Sequence, residues 1–541
     1  MTTAAPPSEG QLTHRQVMVV LSGLLLGMFL AALDQNIVAT ALRTIGDDLK
    51  GQSAQAWVTT AYLVTSTVST PLYGKLSDLY GRKPFYLFAI AIFVLGSVLC
   101  GTADSIYQLA GYRAVQGLGA GGLMSLAFAI VGDVVPPRDR GRYTAYFMSV
   151  FASASVLGPV LGGFFAGQES LLGIHGWRWI FYVNVPVGAL ALVVVYRVLD
   201  LPRRAGAGRI DYVGAALLTS AVVPLLLVAE QGREWGWGSP LSLGMIALSL
   251  GSLAAFVPWE RRLGEDAILP LRIFSSSAFS VGSAVSFLVG AGMFGGLAAL
   301  PLYLQVVRGE SPTRAGLLLT PLMLGIIATG IVSGRFMKRT GRYKPLPIAG
   351  TALLVVAMLL MSTLDVETPL WHASAAMVVM GAGLGLSMQT LTIAVQNALP
   401  ARDMGVATSS VTFFRSMGGA FGAAVFLAIL FGTLAGHIQD RLVALGATPE
   451  QLAQFGSASA LDDTTVIATL PGPVRGAVLG GFADSMQLVF LIAAVVLVPA
   501  FLLATRMKEI PLRTQGGLAA AAADAKAEDQ ASASRTETAV L

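Results

Sequence analysis

Gly74-Lys75-Leu76-Ser77-Asp78-Leu79-Tyr80-Gly81-Arg82-Lys83 lies between two apolar runs, 56–76 and 84–102. So few residues are left to turn the chain that glycine is expected to be required at Gly74 and Gly81. Asp78 can accept hydrogen bonds from freed backbone amides or pair with Arg82, while Arg82 and Lys83 anchor a charged face. A second copy, Gly334-Arg335-Phe336-Met337-Lys338-Arg339-Thr340-Gly341-Arg342, follows at an offset of 260 residues. It has Lys338 where the first copy has Asp78, so the two charge locks must differ. The same offset carries Gly158 onto Gly418 and Gly162 onto Gly422. Two unrelated patterns sharing one offset imply two homologous halves, which is how many secondary transporters are built.

Working outward, a helix needs about 20 apolar residues to cross the ~30 Å hydrocarbon layer. Fourteen segments meet that rule: 17–41, 56–76, 84–102, 106–131, 142–167, 178–199, 212–230, 240–259, 277–304, 314–336, 345–363, 371–397, 405–434 and 484–506. The pair within 212–259 has no counterpart in the repeat, giving an all-α polytopic membrane protein of layout six plus two plus six. The expected organisation is an N-terminal stretch 1–16, a first bundle 17–200, a linker with the inserted pair 201–269, a second bundle 270–506 with an outer loop 435–483, and a tail 507–541. The tail's Ala, Ser and charge read as disordered. Most Lys and Arg fall in loops on one side, notably 197–209 and 335–344, so the positive-inside rule puts both termini in the cytoplasm.

Composition agrees. Charged residues make up only 12 % of the 541, about half the share in a soluble domain, so lipid must cover much of the surface. The net charge of +5 is spread over short loops, which excludes a nucleic-acid-binding patch. One cysteine, Cys100, cannot make an intrachain disulfide. The histidines have no ligand spacing, so no metal is expected. The first apolar run carries Asp34 and lacks a small-residue cleavage site, and reads as a retained helix. Gly117-x-Gly119-x-x-Gly122 matches a dinucleotide pattern as a string but lies inside an apolar helix with no preceding strand. There is no GxxxxGK[ST] loop, so ATP drive is disfavoured, and no nucleophile with a base points to an enzyme.

At this point the chain resembles the major facilitator superfamily, and within it the fourteen-span drug/proton antiporters. Leu33-Asp34-Gln35-Asn36-Ile37-Val38 is similar to that family's first-helix acidic motif, and Tyr112-Arg113-Ala114-Val115-Gln116-Gly117-Leu118-Gly119 to its fourth-helix motif. Gly158-Pro159-Val160-Leu161-Gly162-Gly163 resembles its antiporter motif. Trp177-Arg178-Trp179-Ile180-Phe181 with Asn184, Pro186 and Gly188 resembles the start of its sixth helix. Gln35-Asn36 departs from the family, which more often has an apolar residue or threonine there. The resemblance implies proton-driven export of small amphipathic compounds, without a cofactor, from a cavity between spans 1, 2, 4, 5, 9, 10, 12 and 13. It assigns the Gly158–Gly163 motif to limiting leak between the halves.

The residues support a coupling site on their own physics. Asp34 lies seven residues before the outer end of its span and Arg113 seven after the outer start of its own, each ~10 Å deep at ~1.5 Å per residue. A charge at that depth is a functional hypothesis by default. Desolvation favours the neutral acid and the arginine favours the carboxylate, a balance suited to gaining and losing a proton; a static ion pair is the alternative. Small residues four apart at Gly158 and Gly162 permit close helix approach, and Pro159 permits a bend. Arg415, ~15 Å into its span, either gates, meets substrate, or bonds Gln389, Gln396 or helix-end carbonyls. Candidate cavity residues are Met28, Trp57, Tyr62, Met124, Tyr303, Gln305, Met388, Gln389 and Phe414. Uptake of a small metabolite is the alternative in the same fold, for which more polar or basic cavity residues are expected. A non-transporting sensor or a lipid-handling protein is a reading of another class.

Overall fold

Thr13 starts the first helix with a reciprocal cap: its hydroxyl accepts from the Gln16 amide, and the Gln16 side chain accepts from the Thr13 amide at 2.8 Å. The computed structural model describes residues 13–50, 54–200, 209–310, 312–446, 467, 470–513 and 516. Helix α1 (His14–Asp48) is followed by α2 (Ala56–Tyr80), α3 (Arg82–Gly101), α4 (Ile106–Val134) and α5 (Arg140–Ala166). A two-stranded ribbon, Ser170–Leu171 against Ile174–His175, leads into α6 (Trp179–Tyr182) and α7 (Asn184–Val198). The inserted pair is α8 (Tyr212–Trp235) and α9 (Pro240–Leu263). Then come α10 (Ser277–Leu302), continued by a π-helical turn over Tyr303–Val307, α11 (Pro312–Leu318), α12 (Thr320–Thr340), α13 (Pro345–Met361), α14 (Leu370–Ala398), α15 (Met404–Ala444) and α16 (Gly472–Arg506).

Every expected apolar segment is occupied by helix. Among the described residues, eleven helices are long and apolar enough to span a bilayer. Two more, Ser277–Met293 and Pro345–Met361, are shorter apolar stretches, and α2 carries a run of threonines and serines that line its inner side.

The packing groups the helices by chain half. One core draws on residues from Val17 to Leu199 and another on residues from Val285 to Leu512. Matching glycine pairs hold the first and fifth helices of each half together. A Cβ at Gly158 or Gly162 would collide with Asn36 or Thr40 of α1, and one at Gly418 or Gly422 with the backbone of Phe287 or Ala291 in α10. The Gly158–Gly163 motif thus seals α5 to α1 within one half, while Gly163 faces open space. A third core joins the halves through the insert. Val64 and Val68 of α2, Leu218, Val222 and Leu226 of α8, and Val406 and Val411 of α15 pack together. On its other side α9 exposes Leu241, Leu243, Leu248, Leu250 and Leu253, a face suited to lipid.

Three expectations need correction. Gly74 is not in the turn: α2 continues through it to Tyr80, and Gly81 alone, at φ 97°, reverses the chain. Gly74 is needed for close approach, since a Cβ there would collide with Ser409 of α15. The outer loop 435–483 is helical at both ends, because α15 continues to Ala444 and α16 begins at Gly472. A bidentate Arg441–Asp484 pair at 2.6 and 2.7 Å and a His437–Ser485 hydrogen bond at 2.8 Å tie the two extensions together. Most of the remaining connection lies outside the described residues. The tail is ordered at its start: Asn397 donates to the carbonyl of Pro511 and accepts from the Arg513 amide, and Tyr343 donates to Lys508 O. The rest of the tail, except Gly516, and residues 1–12 lie outside the described residues.

Candidate functional site

Asp34 is fully buried in α1, and four helices converge on it. Arg113 of α4 pairs with it through Nη1 to Oδ2 at 2.6 Å. Its Oδ1 accepts from Gln116 Nε2 at 2.9 Å and from Asn184 Nδ2 of α7 at 2.7 Å. Ser97 of α3 accepts from the same two amides, at 2.6 and 3.1 Å. Arg113 also donates to Gln116 Oε1 at 2.6 Å and, more weakly, to Val58 O at 3.4 Å, and its guanidinium lies 4.1 Å from the centre of the Tyr62 ring. Each charge is thus desolvated and compensated, the condition under which a buried ion pair survives.

Tyr62 is the wall between this cluster and a central cavity of about 290 Å³. Gln35 and Ala31 flank it on α1; Met124 and Phe128 come from α4 and Phe151 from α5. The second half contributes Met293, Met388, Gln389, Thr392, Thr412 and Arg415. The walls are mostly apolar and aromatic with a few hydroxyl and amide groups, a lining that suits small molecules of varied shape. Of the candidate residues, Tyr62, Met124, Met388, Gln389 and Arg415 line this cavity. The others lie elsewhere. Met28 is in the core of the first half. Trp57 packs on Trp235 of α8 with ring centres 6.0 Å apart. Tyr303 is buried and donates to Asp365 O. Gln305 is exposed in the π-helical turn. Phe414 packs edge-on against Phe274. Among the described residues Arg415 has no hydrogen-bond or ion-pair partner, so it does not bond Gln389 or Gln396. Gln396 instead accepts from Arg140 of the other half.

Beyond one end of the cavity the halves are locked together at the glycine motifs. Asp78 Oδ1 and Oδ2 accept from the amides of Gly405 and Val406 at 3.0 and 2.9 Å, at the N-terminus of α15. There the helix dipole and free N–H groups favour an anion. Arg82 holds Asp78 in place at 2.6 Å and is itself held by Asp133 at 2.8 Å. Lys83 extends over the Tyr196 ring at 5.2 Å. In the second copy Lys338 pairs with Asp139, the residue before α5, at 3.0 Å. The expected difference in charge is therefore matched: one lock sets an anion on a helix N-terminus, the other a cation on the acid that precedes one.

Two six-helix units built alike and locked across a central cavity describe a fold seen in known transporters. A model of the Major Facilitator Superfamily matches residues 24–423. The chain belongs to the Major Facilitator Superfamily. A "Multidrug transporter protein MdtP" of Bacillus subtilis is 36 % identical over 83 % of this chain and 82 % of its own. A "Multidrug resistance protein 3" of the same organism is 33 % identical over 89 % of this chain and 93 % of its own. An uncharacterized MFS-type transporter of Mycobacterium tuberculosis is 39 % identical over 91 % of this chain and 70 % of its own. Among solved structures, the proton:xylose symporter XylE shares the fold with a TM-score of 0.62 at 16 % identity, over 94 % of this chain and 99 % of its own.

For this major facilitator protein, sequence reading found the Asp34–Arg113 pair but not its partners. Gln116 and Asn184 stood inside motifs without a role, and Ser97 carried no signal because its position depends on how α3 packs. Glu230 was missed as well. It sits at the end of an apolar run, where a charged residue reads as a boundary, yet it lines the cavity.

Proposed function

We propose that this protein is a proton-coupled antiporter that exports small amphipathic compounds across the cytoplasmic membrane by alternating access. It does so through fourteen spans arranged six, two and six, with both termini inside. The observation that carries the reading is the fully buried Asp34 carboxylate, held by Arg113, whose guanidinium lies over the cavity-lining Tyr62 ring. The relatives named as multidrug transporters support the substrate class.

The mechanism follows from the contacts. With Asp34 ionised, Arg113 is neutralised and Tyr62 is held over it. A proton on Asp34 removes the anion, leaving Arg113 with Gln116 Oε1 and the Tyr62 ring as its remaining close partners. The guanidinium then draws on Tyr62 and so alters the cavity wall. A substrate that displaces Tyr62 acts on the pair in reverse, favouring the ionised acid and release of the proton. No bound cofactor is needed, because the gradient supplies the energy. The locks at Asp78 and Lys338 close the cytoplasmic side and must open once per cycle.

Vesicles holding the purified protein, given an imposed pH gradient and a fluorescent lipophilic cation, test the reading. Uphill movement that an uncoupler abolishes is the expected result. Movement unaffected by the uncoupler, or uptake of sugars instead, would sink it. The topology has its own check, in a Cys100→Ser background. A cysteine at the exposed position Glu367 is expected to react with an impermeant reagent in intact cells, and one at Arg339 only after permeabilisation; the opposite pattern would reverse the assigned orientation.

A further inference from the structure

The repeat accounts for every helix of the bundle except α8 and α9, and α8 brings one acidic side chain into the cavity. Resting on the efflux reading above, we infer that Glu230 is the anionic anchor of the substrate site. The site then takes amphipathic compounds that carry a single organic cation, and the inserted helices are part of substrate recognition.

Several observations converge on it. Glu230 lies in the last turns of α8 and lines the same cavity as Tyr62, Met124, Phe128 and Phe151. Among the described residues it has no hydrogen-bond or ion-pair partner. The other deep acids all do. Asp34 has Arg113, Asp78 has the α15 amides, Asp133 has Arg82, Asp211 caps α8 at Gly214 N, and Glu260 accepts from Leu269 N. An ionisable group placed within the membrane without a partner points to a ligand that supplies the missing charge.

Among the described residues, Arg415 is the one other charged residue lining this cavity, and it does not pair with Glu230. The carboxylate is therefore not neutralised in place. The two unpaired charges give the cavity a negative side on α8 and a positive side on α15. A cationic head sits at Glu230, and any acceptor groups on the substrate turn toward Arg415. Aromatic faces at Tyr62, Phe128 and Phe151 add cation–π and apolar contact to the same ligand class. Helix α8 is braced for this role: it packs on α2 of one half and α15 of the other. A cation held at Glu230 thus lies on the element that touches both moving parts.

The test uses the full chain in vesicles, with tetraphenylphosphonium and ethidium as cationic probes and chloramphenicol as a neutral one. Glu230→Gln keeps the size and removes the charge. It is expected to weaken binding of both cations by about tenfold or more, the scale for losing one partly desolvated ion pair, while chloramphenicol changes by less than about twofold. Glu230→Asp, which keeps the charge with a shorter reach, should restore part of the cation affinity and guards against a simple folding defect. Cation affinity unchanged in Glu230→Gln would overturn the inference, as would an equal loss for cations and chloramphenicol. Wild-type protein that moves none of the three probes would instead overturn the efflux reading, and that failure is visible before any variant is made.

Discussion

Asp34→Asn is expected to abolish uphill efflux while leaving downhill exchange of the same compound. The substitution keeps the shape and removes the titration. The fold should tolerate it for a specific reason. Asp34 accepts from three donors, and an amide can accept on only one side. Asn184 Oδ1 is buried without a partner, so that amide can turn over and accept where it now donates. Gln116 cannot turn in the same way, because its Oε1 accepts from Arg113, and it gives up its bond to residue 34 while keeping the one to Ser97. The substitution therefore costs one hydrogen bond, about 1 kcal/mol, while the protonation step is lost. For a neutral compound exchanged for one proton, one charge moving through ~100 mV is worth ~2.3 kcal/mol, which sustains a concentration ratio of roughly fifty. For a monovalent cation the one-for-one exchange is electrically silent, and only the pH gradient drives it. With Asp34→Asn the ratio reached in pH-driven vesicles should fall to about one, since nothing remains to couple. Arg113→Ala should also fail, by another route. It leaves a carboxylate buried without its cation, a change of about 3–5 kcal/mol that the group escapes by holding its proton. Full uphill transport by Asp34→Asn would mean that the proton travels elsewhere, with Glu230 the next group to test.

The sequence made some of this legible and hid the rest for physical reasons. Apolar run length is a local property, and a helix lies on each run. The repeat at 260 residues identified the two halves because close helix packing imposes glycine at fixed points, and those glycines are visible as letters. Depth counting put Asp34 and Arg113 at one level because helix rise is constant. What lay beyond was rotation about the helix axis. Nothing local says whether Met28 or Ala31 faces the cavity, and it is Ala31 that does. The same blindness hid the convergence of Ser97, Gln116 and Asn184, which come from three helices. It also hid which half supplies the amides that Asp78 binds. Aromatic and methionine side chains look alike in sequence whether they pack or line, so Phe414 and Tyr303 could not be sorted from Tyr62 and Met124.

Asp78→Ala is expected to slow transport of every substrate alike by releasing the lock at the α15 N-terminus. The carboxylate accepts two amide hydrogen bonds at the α15 N-terminus. Bonds to a charged group are worth about 1.5 kcal/mol each at the low end. Losing both shifts the balance between end states by about 3 kcal/mol, a factor on the order of a hundred. Arg82 is not set free, because Asp133 still holds its Nε at 2.8 Å. The lock between Lys338 and Asp139 remains, so the halves stay associated and the effect is a bias rather than a collapse. Asp78 does not line the cavity, so equilibrium substrate binding should change little. Asp78→Asn should fall between, since its amide oxygen can still accept one of the two bonds. The direct measurement is the distance between spin labels at the exposed positions Tyr80 and Arg402, which sit on opposite halves beside the lock. In the Cys100→Ser background, Asp78→Ala should move the distribution to longer distances without substrate. An unchanged distribution would remove Asp78 from the lock. A change in the rank order of transported compounds would place it instead in substrate selection.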